Sequence, residues 1–238
     1  MIEKALIMGM IGHGYGSEWH LLRWLGRHRN ELNHKIMAQM SYTNVDIEWL
    51  DFLHHSKPQA RQRDLEYTGI SFLQPSQSLK DKWEAFWPAS GNQQNWDAIG
   101  YIQNDNDTEW LLIEAKAHIG EIKSSCGAKS PHSLGKINTS FLEVKTKLGI
   151  HVSQTTPNWL SPYYQYANRL AILHFLRQNG VKAHLVFIYF CGDTNPSGIC
   201  PISQTEWLNH ALQEQDQHLQ LNQQHCYSSF IHKVFLQV

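Results

Sequence analysis

Three charged residues near the middle of the chain have the types and spacing to hydrolyse a phosphodiester. Sixteen residues separate Asp97 from the run Glu114-Ala115-Lys116. Because side chains alternate across a strand, Glu114 and Lys116 project from one face if this segment is extended. Two neighbouring carboxylates repel each other unless a proton or a divalent cation lies between them. The expected ion is Mg²⁺, with Mn²⁺ able to substitute, because hard cations prefer oxygen ligands.

Each of these residues has a defined role in such chemistry. A cation held by Asp97, Glu114 and the backbone carbonyl of Ala115 would lower the pKa of a bound water and neutralise a phosphate oxygen. Lys116 would orient or deprotonate the attacking water and stabilise the transition state. An isolated D…ExK pattern is more often a surface ion pair. Here it lies in the apolar segment LLIEAKA (111–117), where unpaired buried charge is costly, and this favours catalysis.

The surrounding sequence predicts the elements that position these residues. Apolar strands at 96–103 and 110–118 flank a turn of Asn and Asp residues at 104–107, which predicts a hairpin. Helical patterns occur at 17–33, 79–87, 133–148, 162–178 and 205–219. Further strands are predicted at 36–40, 47–53, 67–73, 181–190 and, as an edge strand, 229–238. The expected fold is one α/β domain, residues 1–238, with a mixed sheet flanked by helices.

The motif resembles that of the PD-(D/E)xK, restriction-endonuclease-like superfamily, with Trp96 in the place of the motif's proline. Longer segments resemble those of a group of uncharacterised bacterial proteins placed in that superfamily; they are residues 14–20, 95–100, 114–118, 124–127 and 164–170. The resemblance implies a mixed sheet with helices on both faces. It also implies Mg²⁺-dependent cleavage of nucleic acid, more often DNA than RNA.

The same resemblance implies further site residues. Relatives often add an acid from the first helix to the metal site, and Glu18 is the matching residue, although the helix dipole alone favours an acid there. Gln165 and Arg169 lie four residues apart on one helix face and match polar positions that relatives direct at the active site. Gln165 would hold a phosphate or a metal-bound water, and Arg169 would neutralise phosphate charge. Ordinary helix-surface hydrogen bonding is the competing interpretation for both residues.

A small basic loop follows the motif. Lys123, Ser124 and Ser125 suit contact with a phosphate backbone, although an ordinary surface loop has the same composition. Six lysines face two acids between residues 115 and 150, while the whole chain has a net charge of −1. Contact with nucleic acid is therefore expected to be local, because bulk electrostatic coating requires many cationic side chains.

Two other functions remain open at this stage. The glycines of Gly12-His13-Gly14-Tyr15-Gly16 precede a helix, as in nucleotide-binding loops, but their spacing is GxGxG rather than GxGxxG. A nuclease-like fold that binds nucleic acid or protein without cleaving it is the second alternative. Intact Asp97, Glu114 and Lys116 favour an active enzyme.

The remaining composition limits location and assembly. Four cysteines show no CxxC pair, so neither a zinc site nor a disulfide framework is indicated, and a cytoplasmic location is expected. No apolar stretch has the length of a membrane span. A homodimer would be the simplest way to cut both strands of a duplex.

Overall fold

The computed structural model describes residues 14–43, 45–50, 53–54, 64–88, 93–104, 107–153, 158–221 and 223–238. The strands are β1 (Glu48–Trp49), β2 (Leu53–His54), β3 (Asp64–Leu65), β4 (Tyr67–Thr68), β5 (Asn95–Trp96), β6 (Ala98–Asn104), β7 (Asp107–Lys116), β8 (Ala183–Cys191) and β9 (Ile231–Gln237). The α-helices are α1 (Ser17–Arg27), α2 (Arg29–Met40), α3 (Gln77–Phe86), α4 (Pro131–Lys147), α5 (Tyr164–Gln178), α6 (Gln204–Trp207) and α7 (Gln213–His218). A π-helical turn, Leu208–Leu212, joins α6 to α7.

The centre of the fold is a five-stranded mixed sheet in the order β1-β6-β7-β8-β9. Strands β1, β6 and β7 are antiparallel, while β7, β8 and β9 run parallel. Helices α4 and α5 lie in the connection between the parallel strands β7 and β8. Two short antiparallel ladders, β2 with β3 and β4 with β5, lie outside this sheet. The predicted mixed α/β class is therefore confirmed.

Helices cover both faces of the sheet because each internal strand is apolar on both sides. All nine residues of β8 are buried, as expected for a strand between two packed layers. One core places Leu21, Leu32 and Ile36 of α1 and α2 against alternate residues of β6, β7 and β8. The opposite core packs α3, α4 and α5 against the other residues of these strands, including Leu112. Glu114 and Lys116 have the same strand parity as Leu112, so they face α5.

Several sequence predictions are confirmed by these elements. The hairpin is formed by β6 and β7, with Asn104 paired to Asp107; residues 105–106 of its turn lie outside the described part. The helices predicted at 79–87, 133–148 and 162–178 correspond to α3, α4 and α5, and the helix predicted at 205–219 corresponds to α6, the π turn and α7. Strand β8 and the edge strand β9 also agree with prediction.

Other predictions are wrong or only partly right. Residues 36–40, predicted as a strand, form the end of α2, and the helix predicted at 17–33 divides into α1 and α2 at His28. Only Glu48–Trp49 is a strand among the described residues 47–50. The strand predicted at 67–73 ends after Thr68, because Gly69 has a φ of +52° and begins a turn into the 3-10 segment Ser71–Leu73.

Within the described part of the chain, no helix combines the length and apolar character needed to cross a bilayer.

Candidate active site

The hairpin brings Asp97 beside Glu114. The ladder between β6 and β7 ends with Ala98 opposite Ile113, and the Asp97 N–H donates to the Ile113 carbonyl at 3.2 Å. Asp97 itself lies in a bend between β5 and β6. Its Oδ2 accepts a hydrogen bond from the Ala115 N–H at 2.6 Å, so the side chain takes the place of a ladder partner where β6 has ended.

Glu114 lies at the centre of a buried polar cluster. It is 2 % exposed, and its Oε1 accepts hydrogen bonds from Lys116 Nζ and, at 2.8 Å, from Gln165 Nε2. Its Oε2 accepts from Arg169 Nε at 2.8 Å. Lys116 Nζ also donates to Gln165 Oε1 at 3.0 Å. The residues predicted from strand β7 and helix α5 are thus in direct contact.

Trp96 packs against Arg169 of this cluster. The Arg169 guanidinium lies over the Trp96 ring, 4.7 Å from its centroid, in a cation–π contact. The Trp96 ring is fully buried and its Nε1 donates to the Gly69 carbonyl at 2.9 Å. Arg169 is only 3 % exposed and also donates to Asn168 Oδ1 at 2.8 Å. Trp96 therefore fixes the arginine that pairs with Glu114.

The two carboxyl groups have opposite electrostatic environments. Burial would raise the pKa of Glu114, but Arg169 and Lys116 outweigh it and lower that pKa below its ordinary value. Burial, followed by the charge of Glu114, raises the pKa of Asp97 to about 7. Glu114 is therefore ionised at neutral pH. Asp97 has too little positive charge around it to offset its burial, so its carboxyl group holds its proton to a higher pH.

The loop after β7 positions the start of α5. The hydroxyl of Ser124 accepts a hydrogen bond from the Gln165 N–H at 2.7 Å, and its carbonyl accepts from Tyr164 N–H at 3.2 Å. Because the N-cap residue of α5 makes no side-chain cap, Ser124 supplies one from a distant loop. Lys123 is exposed, and its Nζ lies 3.8 Å from Glu214 Oε1. The Ser125 hydroxyl lies 2.9 Å from the hydroxyl of Ser161. Their predicted contact with substrate stays a prediction.

Glu18 is not part of the cluster. It is exposed in the first turn of α1 and makes no hydrogen bond or ion pair with another described residue. The acid that contacts this end of β7 is Glu121, which accepts from Ala117 N–H at 2.6 Å and from Ser17 Oγ at 3.2 Å. Among the described residues, no three His, Cys, Asp or Glu side chains converge to hold a metal ion.

A cleft of about 400 Å³ opens beside Asp97. Its lining combines acidic, amide, aromatic and basic side chains: Glu66, Gln93, Gln94, Asn95, Asp97, Tyr164, Gln165, Asn168 and Arg169. Sequence reasoning identified three of these residues, Asp97, Gln165 and Arg169. The sequence does carry a signal for this part of the cleft, because residues 92–95 are four consecutive amides directly before the predicted catalytic strand.

The glycine-rich segment before α1 has a partner within the chain. Gly12 and His13 lie outside the described residues. The Gly16 N–H donates to both carboxylate oxygens of Asp193, at 3.2 and 3.3 Å, and His20 Nε2 lies 2.8 Å from the same group. A protein carboxylate thus occupies the helix N-terminus where a nucleotide phosphate would bind. No protein-family model, characterised protein or solved structure matches this chain.

Proposed function

We propose that the chain is a metal-dependent phosphodiesterase acting on nucleic acid. Its resemblance to PD-(D/E)xK nucleases favours DNA over RNA as the substrate. The observation that carries the proposal is the placement of Asp97, Glu114 and Lys116 on one face of a buried sheet, with Gln165 and Arg169 above them. Burying charged side chains costs free energy, so such a cluster must be compensated by ion pairs or retained for a function.

The donor set fits Mg²⁺ or Mn²⁺. Asp97 and Glu114 offer only oxygen atoms, and the raised pKa of Asp97 marks a carboxylate that a nearby cation would stabilise. A strand residue directs its N–H and C=O to the same side, so the Ala115 carbonyl lies on the edge where its N–H meets Asp97. Asp97, Glu114 and this carbonyl would hold the ion. When bound, the ion would supply Lewis-acid stabilisation of phosphate charge and a more acidic water.

The other residues have roles that their contacts support. Lys116 lies within hydrogen-bonding reach of Glu114 and Gln165, so its ammonium would orient the attacking water and stabilise charge in the transition state. Gln165 would hold the lysine in that orientation through its Oε1. Arg169 would remain a positioning residue for Glu114, because it is buried and its donors are already engaged.

Cleavage of labelled single-stranded DNA, duplex DNA and RNA tests the proposal. We expect activity with Mg²⁺ or Mn²⁺, none with EDTA, and a loss of about 100-fold or more in Asp97→Asn, Glu114→Gln and Lys116→Met. Asp81→Asn, an exposed substitution on α3, is the matched control and should retain activity. Metal-independent cleavage, or equal activity in the three site variants, would contradict the proposal.

One observation favours a second candidate, a nuclease-like binding module without catalysis. Glu114 is already neutralised by Arg169 and Lys116, so the fold can satisfy this carboxylate with protein cations alone. The discriminating measurement is the thermal transition with and without Mn²⁺. A metal-dependent increase that disappears in Asp97→Asn supports the enzyme, whereas an unchanged transition with retained nucleic-acid binding supports the module.

A further inference from the structure

The cleft beside Asp97 contains a buried amide whose hydrogen-bonding groups are not used. Gln94 is 6 % exposed, and neither its Oε1 nor its Nε2 has a hydrogen-bond partner in the described part of the protein. Its backbone is fixed, since its carbonyl accepts from the Gly69 N–H at 2.7 Å. The unpaired amide therefore belongs to a residue whose backbone is held directly beside the ladder formed by β4 and β5.

Such an arrangement is costly without a ligand. A buried amide that loses water and gains no partner costs about 1–3 kcal/mol, and buried polar side chains in native proteins are rarely left unpaired. Neighbouring amides in the same cleft do have partners: Gln165 bonds Glu114 and Lys116, and Asn168 bonds Arg169. Gln94 thus differs from Gln165 and Asn168, because both polar atoms of its buried amide lack a hydrogen-bond partner among the described residues.

We infer that this cleft receives one unpaired nucleobase of the nucleic-acid substrate and that Gln94 hydrogen-bonds the edge of that base. The inference rests on the proposed function and deepens it by naming the substrate class. A glutamine amide presents a donor next to an acceptor, which matches the paired donor and acceptor atoms on base edges. The substrate is accordingly a single strand or a nucleotide extruded from a duplex.

The size and position of the cleft agree with this substrate. A volume of about 400 Å³ lies in the range of pockets that bind one small molecule, so the cleft is large enough for one nucleotide. Gln94 and Asp97 both line the cleft and lie three residues apart in the chain. A phosphate near Asp97 and Lys116 would therefore leave its base in the same cleft as Gln94.

Tyr164 adds an aromatic surface to the same space. Among the described residues that line the cleft, it is the one aromatic side chain. Base–aromatic contact is common in proteins that bind unpaired nucleotides, because every base has an apolar face. The cleft therefore combines a surface for the face of a base with an amide for its edge.

Binding measurements without cleavage test the inference. Fluorescence anisotropy in Ca²⁺ would compare a labelled single strand, the same strand with abasic sites, and a blunt duplex. We expect the wild type to bind the single strand at least tenfold more tightly than the other two. Gln94→Leu should lose this preference, while Gln213→Leu, an exposed control, should keep it. Without ligand, Gln94→Leu should unfold at a higher temperature than the wild type, because it removes the unpaired amide. This result would also show that the variant is folded.

The outcomes separate this inference from the proposed function. If the single strand and the duplex bind equally, or Gln94→Leu keeps the preference, the inference fails even when metal-dependent cleavage is present. If a free nucleoside monophosphate binds as tightly as the oligonucleotide in calorimetry, the cleft is a nucleotide pocket and the inference is overturned. If single-strand preference depends on Gln94 but no cleavage occurs with Mg²⁺ or Mn²⁺, the inference about the cleft holds and the proposed catalysis fails.

Discussion

Replacing Asp97 with Asn removes a carboxylate whose ionisation the fold opposes. Burial and the charge of Glu114 raise the pKa of Asp97 from 3.8 to about 7. The unfolded chain releases this proton near pH 4, so the wild type loses stability as the pH rises from about 4 to about 7 and remains at the lower value above. The full shift corresponds to about 4 kcal/mol, which is an upper limit. We expect Asp97→Asn to be more stable by about 1–4 kcal/mol at pH 8.

Thermal unfolding in EDTA measures this difference. A gain of that size raises the midpoint by roughly 2–15 °C for a domain of this length. Asparagine can still accept the hydrogen bond from the Ala115 N–H, so the local backbone should be retained. The advantage should fall to about a quarter of its value at pH 4.5, and Asp81→Asn should show none at either pH. Added Mn²⁺ should raise the midpoint of the wild type and not that of Asp97→Asn. A variant less stable than wild type at pH 8, or a difference independent of pH, would refute the reasoning.

Three further predictions concern stability. Burial lowers the pKa of His232 from 6.5 to about 4, because the fold favours the neutral imidazole. The stabilisation from this preference is fully present above pH 6.5. Up to about 3 kcal/mol should be lost as the pH falls from 6.5 to 4, and urea unfolding of His232→Asn should show a shallower decline. Ser124→Ala should cost about 1 kcal/mol in the same assay by removing the α5 cap, whereas Ser125→Ala should cost little. Arg169→Met should cost about 3–5 kcal/mol, because it leaves Glu114 short of a cation, and Mn²⁺ should stabilise this variant more than the wild type. Equal stabilisation of the variant and the wild type by Mn²⁺ would contradict the idea that Arg169 and the metal ion both neutralise Glu114.

The sequence predicted the strands of the site better than the elements around them. The hairpin was predictable because alternating and continuous apolar residues flank a run of turn formers. The strand predicted at 36–40 is wrong because five residues are too few to show the helical period of the longer segment. Leu32, Ile36 and Met40 recur every four residues and all three are buried, which is helical periodicity.

The contacts within the site were less predictable. Spacing showed that Gln165 and Arg169 share a helix face, but it did not show that both bond Glu114. Glu18 was selected because of its place in the first helix, and the side chain is exposed. Gln94 has no sequence pattern that distinguishes a buried, unpaired amide from an exposed one. Such features depend on three-dimensional packing, which local periodicity does not encode.

The pairing of Arg169 with Glu114 also determines an order of events in time. Because the carboxylate has a counter-charge inside the chain, the sheet can assemble before any ion arrives, and folding should proceed at the same rate in EDTA. An ion held by Asp97 and Glu114, as proposed, would share the Glu114 carboxylate with the guanidinium that lies over Trp96. Removing the metal should therefore leave the fold intact, with Glu114 still paired to Arg169.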